Sequence, residues 1–140
     1  MVYTCPLCLL DPLSHSFTNF LEKEDTFYFY TCPAKATLYF DTISIINHYD
    51  GVLSEITENK NWIWVLDVTS FGLNHFLQIE VAKELSKLIS SKFSKKLKKI
   101  IIINPNNYVF FVYSIVKSFL TDKIKSIIEI NNEIKSMDDF

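Results

Sequence analysis

No arginine occurs in the 140 residues, so the basic side chains are all lysine. The planar fork that reads guanine, phosphate or carboxylate bidentately is therefore missing, and with a formal charge of -2 a nucleic-acid partner is not expected. Glycine is almost as scarce: Gly51 and Gly72 are the only two. That excludes a Gly-rich phosphate loop and a nucleophile elbow. No apolar run approaches the roughly 20 residues that span a bilayer, and the first residues lack the charged lead, apolar stretch and small-residue cleavage site of a signal peptide. A soluble, cytoplasmic chain is the expectation. Three cysteines make an odd count, which suits free thiols or metal ligands in a reducing compartment better than a disulfide framework. Abundant Lys, Asn, Ile, Phe and Tyr without Arg is the composition of an AT-rich genome, a property of the source and not of the function.

What is present fits one globular domain. TFYFYT, Thr26 to Thr31, is aromatic and β-branched throughout and reads as a strand; Lys35 to Phe40 is a weaker strand candidate. Downstream of Asp41 and Thr42, either of which can cap a helix, Ile45, Ile46, Tyr49, Val52, Leu53 and Ile56 fall at helical spacing, although Gly51 interrupts them. Trp62 to Val68 is apolar on consecutive positions, as a strand covered on both faces would be. An amphipathic helix is predicted from Phe76 to Phe93, a buried strand from Lys99 to Asn104, a helix apolar nearly all round from Tyr108 to Leu120, and a last strand from Ser126 to Ile130. Strands alternating with helices predict an α/β fold with a mainly parallel central sheet of about five strands flanked by helices.

The runs WIWVLDVTSFGLNH, LKKIIIINPNNYVFFVYSIVKSFL and DKIKSIIEI resemble, in order and spacing, the CRAL-TRIO lipid-binding family. The matching positions are Asp67, Phe71 and Gly72, then Ile103 and Asn104, then Phe119 and Leu120, and finally Lys123 and Ile124. The resemblance covers about residues 26 to 130, leaving 1–25 as an N-terminal segment and 131–140 as a polar tail. It implies a sheet floor under a hydrophobic cavity roofed by mobile helices, and hence binding of a lipid or other small hydrophobic ligand without covalent chemistry. Trp64 and Ile102 from the sheet, with Phe110, Phe111, Tyr113 and Ile115 from the third helix, are the candidate cavity residues; each also reads as ordinary core. Many members of the family carry a helical N-terminal extension and further segments after the last strand. Without these the cavity is expected to be shallow, filled by its own side chains or closed by a second copy. The alternative function is then a CRAL-TRIO-like scaffold for protein interaction, such as a homodimer, with the apolar third helix offering a partner or peripheral membrane contact.

Three further features remain. Lys92, Lys95, Lys96, Lys98 and Lys99 cluster between the second helix and its following strand, either as an anionic head-group docking site or as a solvated helix end. Cys32, His48 and Asp67 can be assembled on paper into a nucleophilic set, but no spacing supports it, and Asp67 reads as a turn former. The opening CPLC places Cys5 and Cys8 at the separation from which both sulfurs reach one zinc, and His15 and Cys32, with His48 as substitute, complete a candidate tetrad. Such a site would be structural, since four protein ligands leave no position open. Plain burial of the cysteines as small hydrophobes is the competing reading.

Overall fold

The computed structural model describes residues 3–140. After a short helix α1 (Pro6–Leu10), strands β1 (Phe17–Lys23) and β2 (Thr26–Thr31) form an antiparallel hairpin. Helix α2 (Thr42–Leu53) leads to β3 (Asn61–Asp67). Helices α3 (Leu73–Phe76) and α4 (Ile79–Leu88) precede β4 (Leu97–Ile103), and α5 (Asn107–Val116) and α6 (Asp122–Ser126) precede β5 (Ile128–Asn131). The sheet has five strands in the order β1-β2-β3-β4-β5, and every pair after the first is parallel.

This order decides where the helices go. Crossovers between parallel strands take one hand, so a sheet that advances steadily in one direction collects its helices on one face. Phe29, Trp62, Ile100 and Ile102 from the strands pack there against Ile45, Tyr49 and Leu53 of α2, Val81 of α4 and Ile124 of α6. The opposite face carries Tyr30, Val65, Ile101 and Ile103, and it is covered by Phe20 and by Ile134 and Phe140 from the segment 132–140. The continuous apolar run of β3 is thus matched by cover on both sides, but only one cover is helical.

Local chemistry sets the boundaries. Asp41 caps α2 by accepting from the Ser44 amide. Asn106 caps α5 by accepting from Tyr108 and Val109, while its amide donates to the Phe71 carbonyl at 2.8 Å and ties the helix start to the loop after β3. The chain from Lys35 to Phe40 is not a strand. Pro33 opens a 3-10 turn (Pro33–Lys35), and the Thr37 and Leu38 amides then bond to Leu13 and Ser14 of the N-terminal segment. Strand β1 lies inside the segment left unassigned from sequence. A bulge between Asn19 and Leu21 breaks its alternation, which hides the strand pattern. Among the described residues, no helix is long and apolar enough to cross a membrane.

Candidate functional site

Between the sheet and its helical cover lies an apolar cleft of about 150 Å³. Its floor is Trp64, Leu66, Ile100, Ile102 and Ile128; its walls are Ile45 and Tyr49 of α2, Val81 and Leu85 of α4, and Val109, Val112, Tyr113 and Val116 of α5. The few polar groups at the floor satisfy one another. The Trp64 indole donates to the Thr31 hydroxyl at 2.9 Å, and that hydroxyl pairs with the Tyr49 hydroxyl at 2.9 Å. The cleft therefore presents almost pure hydrocarbon and aromatic surface to an occupant.

Helix geometry sorts the residues expected to line it. Trp64, Ile102 and Tyr113 do line the cleft. Phe110, Phe111 and Ile115 do not: they are exposed by 48, 55 and 42 % on the outer side of α5, because positions 109, 112, 113 and 116 form the inward stripe. Sequence reasoning missed Val109, Val112 and Val116, which a 3.6-residue count anchored on Tyr113 picks out.

A second cluster lies at one end of the cleft. Cys5, Cys8, His15 and His48 each offer a ligand atom, these atoms all lie within 4.8 Å of one another, and the group can hold a metal ion. Cys32 is not one of the four. It follows β2 on the far side of the sheet, where its thiol points to the Thr69 carbonyl at 3.8 Å, and His48, one turn into α2 from Ser44, takes the fourth place. His15 belongs both to this cluster and to the cleft lining. Burial, and after it the neighbouring His48, lowers the pKa of His15 to about 4, and burial lowers that of His48 as well, so both imidazoles are neutral near pH 7.

The remaining candidates are engaged structurally. Asp67 is buried at the end of β3 and accepts from the Thr69 amide at 3.0 Å, the Thr69 hydroxyl at 2.6 Å, Asn104 at 3.0 Å and the Tyr30 hydroxyl. It is the turn former expected, and its partner Tyr30 lies on the face of the sheet opposite the one that α2 covers. His75 accepts from the Gly72 amide and stacks on Phe71. Of the lysine cluster, Lys92 pairs with Asp50 at 2.6 Å, Lys96 donates to the Thr57 carbonyl at 2.8 Å and Lys99 pairs with Glu129 at 3.2 Å. Those three lysines thus make exposed contacts within the chain.

The comparisons with known proteins agree with this architecture. The model of the CRAL/TRIO domain family matches residues 34–140. A crystal structure of Sfh5 superposes with a TM-score of 0.68 at 12 % identity, over 85 % of this chain and 49 % of that one. The chain thus spans about half the length of that structure, and at such identity the likeness is one of fold. From its family match, the chain belongs to the CRAL/TRIO domain family, whose members bind lipids or other small hydrophobic molecules and are generally non-enzymatic.

Proposed function

We propose that the cleft binds a small, uncharged apolar molecule or the end of a lipid chain, by burial alone and without covalent chemistry. The observation that carries this reading is the cleft wall, which is almost wholly apolar and in which the polar atoms of Trp64, Thr31 and Tyr49 already bond to one another. Its size refines the ligand. At about 150 Å³ it falls below the roughly 300 to 1,000 Å³ of drug-sized pockets, so a whole lipid requires α4 and α5 to part.

Titration with a fluorescent fatty-acid analogue, read by energy transfer from the tryptophans, tests the reading. Saturable binding is expected, and Val112→Trp, which fills the cleft from α5, should abolish it while leaving the fold intact by circular dichroism. Absence of binding by the wild type, or binding unchanged in the filled variant, would count decisively against the cleft. A second reading, self-association, is favoured by one observation: Leu73, Leu77, Phe110 and Phe111 are all about half exposed or more, and Phe76 of α3 meets Phe111 of α5 edge to face. Sedimentation of the wild type beside Phe111→Glu decides it, with a concentration-dependent dimer that the variant dissolves as the expected result.

A further inference from the structure

We propose that Cys5, Cys8, His15 and His48 bind one zinc ion as a closed, structural site that fastens the segment 5–15 to α2 beside the apolar cleft. The geometry comes first. The Nδ1 atom of His15 lies 3.6 Å from the Cys5 sulfur and 3.4 Å from the Cys8 sulfur, and Nδ1 of His48 lies 3.7 Å from the Cys8 sulfur. A tetrahedron with zinc-sulfur bonds of about 2.3 Å and zinc-nitrogen bonds of about 2.0 to 2.1 Å has sulfur-nitrogen edges of about 3.5 Å. CPLC supplies the two sulfurs from one turn. Cys5 stands at the N-cap of α1, Pro6 starts the helix, and Cys8 follows one turn inside it.

Both imidazoles are oriented from behind. The Nε2–H of His48 donates to the Phe17 carbonyl at 2.9 Å, and a carbonyl can only accept, so Nδ1 carries the lone pair. For His15 the relay is one bond longer. The Ser44 hydroxyl gives its proton to the Asp41 carbonyl at 3.1 Å and therefore accepts from His15 Nε2–H at 3.0 Å. Again Nδ1 is left bare and faces the sulfurs. This backing by carbonyl and hydroxyl acceptors is what metal-bound histidines require.

The competing reading, thiols hydrogen-bonded to imidazoles and buried as small hydrophobes, leaves α1 itself little to hold it, since the backbone bonds to Leu13 and Ser14 fasten only the end of the segment. No residue of α1 is buried, and Leu9, Leu10 and Leu13 are exposed by 73, 86 and 57 %. A five-residue helix has no stability of its own in water. What the segment does bury is Cys5, Ser14 and His15, and two of these are ligands. A closed set of two thiolates and two imidazoles selects zinc among common cellular ions, and its role is to hold the fold. Three of the four residues precede the family match that begins at residue 34, so the fastener belongs to this chain's own N-terminal segment.

The test uses the reduced full chain and Co2+ as the probe. One cobalt per chain is expected, with the intense visible bands of a tetrahedral ion and sulfur-to-metal charge transfer, displaced by one equivalent of Zn2+. Cys8→Ala and His48→Gln should each lose stoichiometric binding, Ser44→Ala should weaken it about 10- to 100-fold, and Cys32→Ser should leave it intact. If the ligand variants do not fold, alkylation of the wild type decides: zinc must shield Cys5 and Cys8. Folded, reduced wild type without a tetrahedral spectrum, loss of the spectrum in Cys32→Ser, or alkylation unchanged by zinc overturns the site. None of these readouts involves an apolar ligand, so the cleft stands or falls separately.

Discussion

Asp67 shows how much one carboxylate can organise. Burial pushes its pKa up, yet hydrogen bonds from Asn104, Thr69 and Tyr30 outweigh burial and leave it below the ordinary aspartate value. A depressed folded pKa means stability that is fully present above the unfolded value, about 3.9, and lost as pH falls through the folded one. Asp67→Asn should therefore cost about 1 to 3 kcal/mol at pH 7, and the gap to wild type should narrow below about pH 4. Urea unfolding at the two pH values checks this; a gap that does not change with pH would mean the carboxylate is not charged in the folded protein. Conversely, burial and the bond to Asp67 push the Tyr30 phenol up, so it stays a donor across the working range. Asp67 was legible from sequence as a strand-end turn former, but its partner Tyr30, 37 residues earlier, was not, because only strand pairing brings them together.

At the scale of the element, two helices carry information that periodicity half reveals. Gly51 sits within the unbroken α2, and the ring of Tyr3 lies against it in the space a Cβ would fill. Gly51→Ala should raise intrinsic helix stability by up to about 1 kcal/mol and at the same time displace Tyr3. The expected pair of results is an unfolding midpoint unchanged or raised, with faster limited proteolysis of the N-terminal segment; wild-type protection of that segment would contradict the contact. Helix α5 is apolar nearly all round, so its sequence does not say which side faces in. The structure turns Val109, Val112 and Val116 inward and Phe110, Phe111 and Ile115 outward. Phe110→Glu should thus change stability by less than about 0.5 kcal/mol, whereas Val116→Asp should cost more than about 3 kcal/mol. Equal effects in thermal unfolding would place the helix in a different rotation.

For the whole molecule, the one-sided placement of the helices makes the second face of the sheet depend on a short cover. Phe140 meets Phe20 edge to face at 5.6 Å and Tyr28 at 5.9 Å, and Ile134 joins the same cluster. Phe140→Ala should cost about 1 to 2 kcal/mol and raise binding of an apolar dye to the uncovered face. An unchanged dye signal would show that the segment 132–140 does not shield the sheet. The same segment read as a polar tail from its sequence, because its three apolar side chains, Ile134, Met137 and Phe140, are isolated among polar and charged residues.

Composition and periodicity determined the α/β class, the parallel core strands and the capped helix after Asp41, because each depends on side chains that are neighbours along the chain. The order of motifs from WIWVLD to SIIEI likewise carries the resemblance to the CRAL-TRIO family. Tertiary structure alone decided which face of α5 lines the cleft, which residues cover the back of the sheet, and which histidine stands with Cys5, Cys8 and His15. His48 lies 33 residues beyond His15, and Cys32, nearer in sequence, is carried to the other face by the alternation of β2. Sequence spacing cannot rank those two, since the choice rests on which side of a strand each element passes.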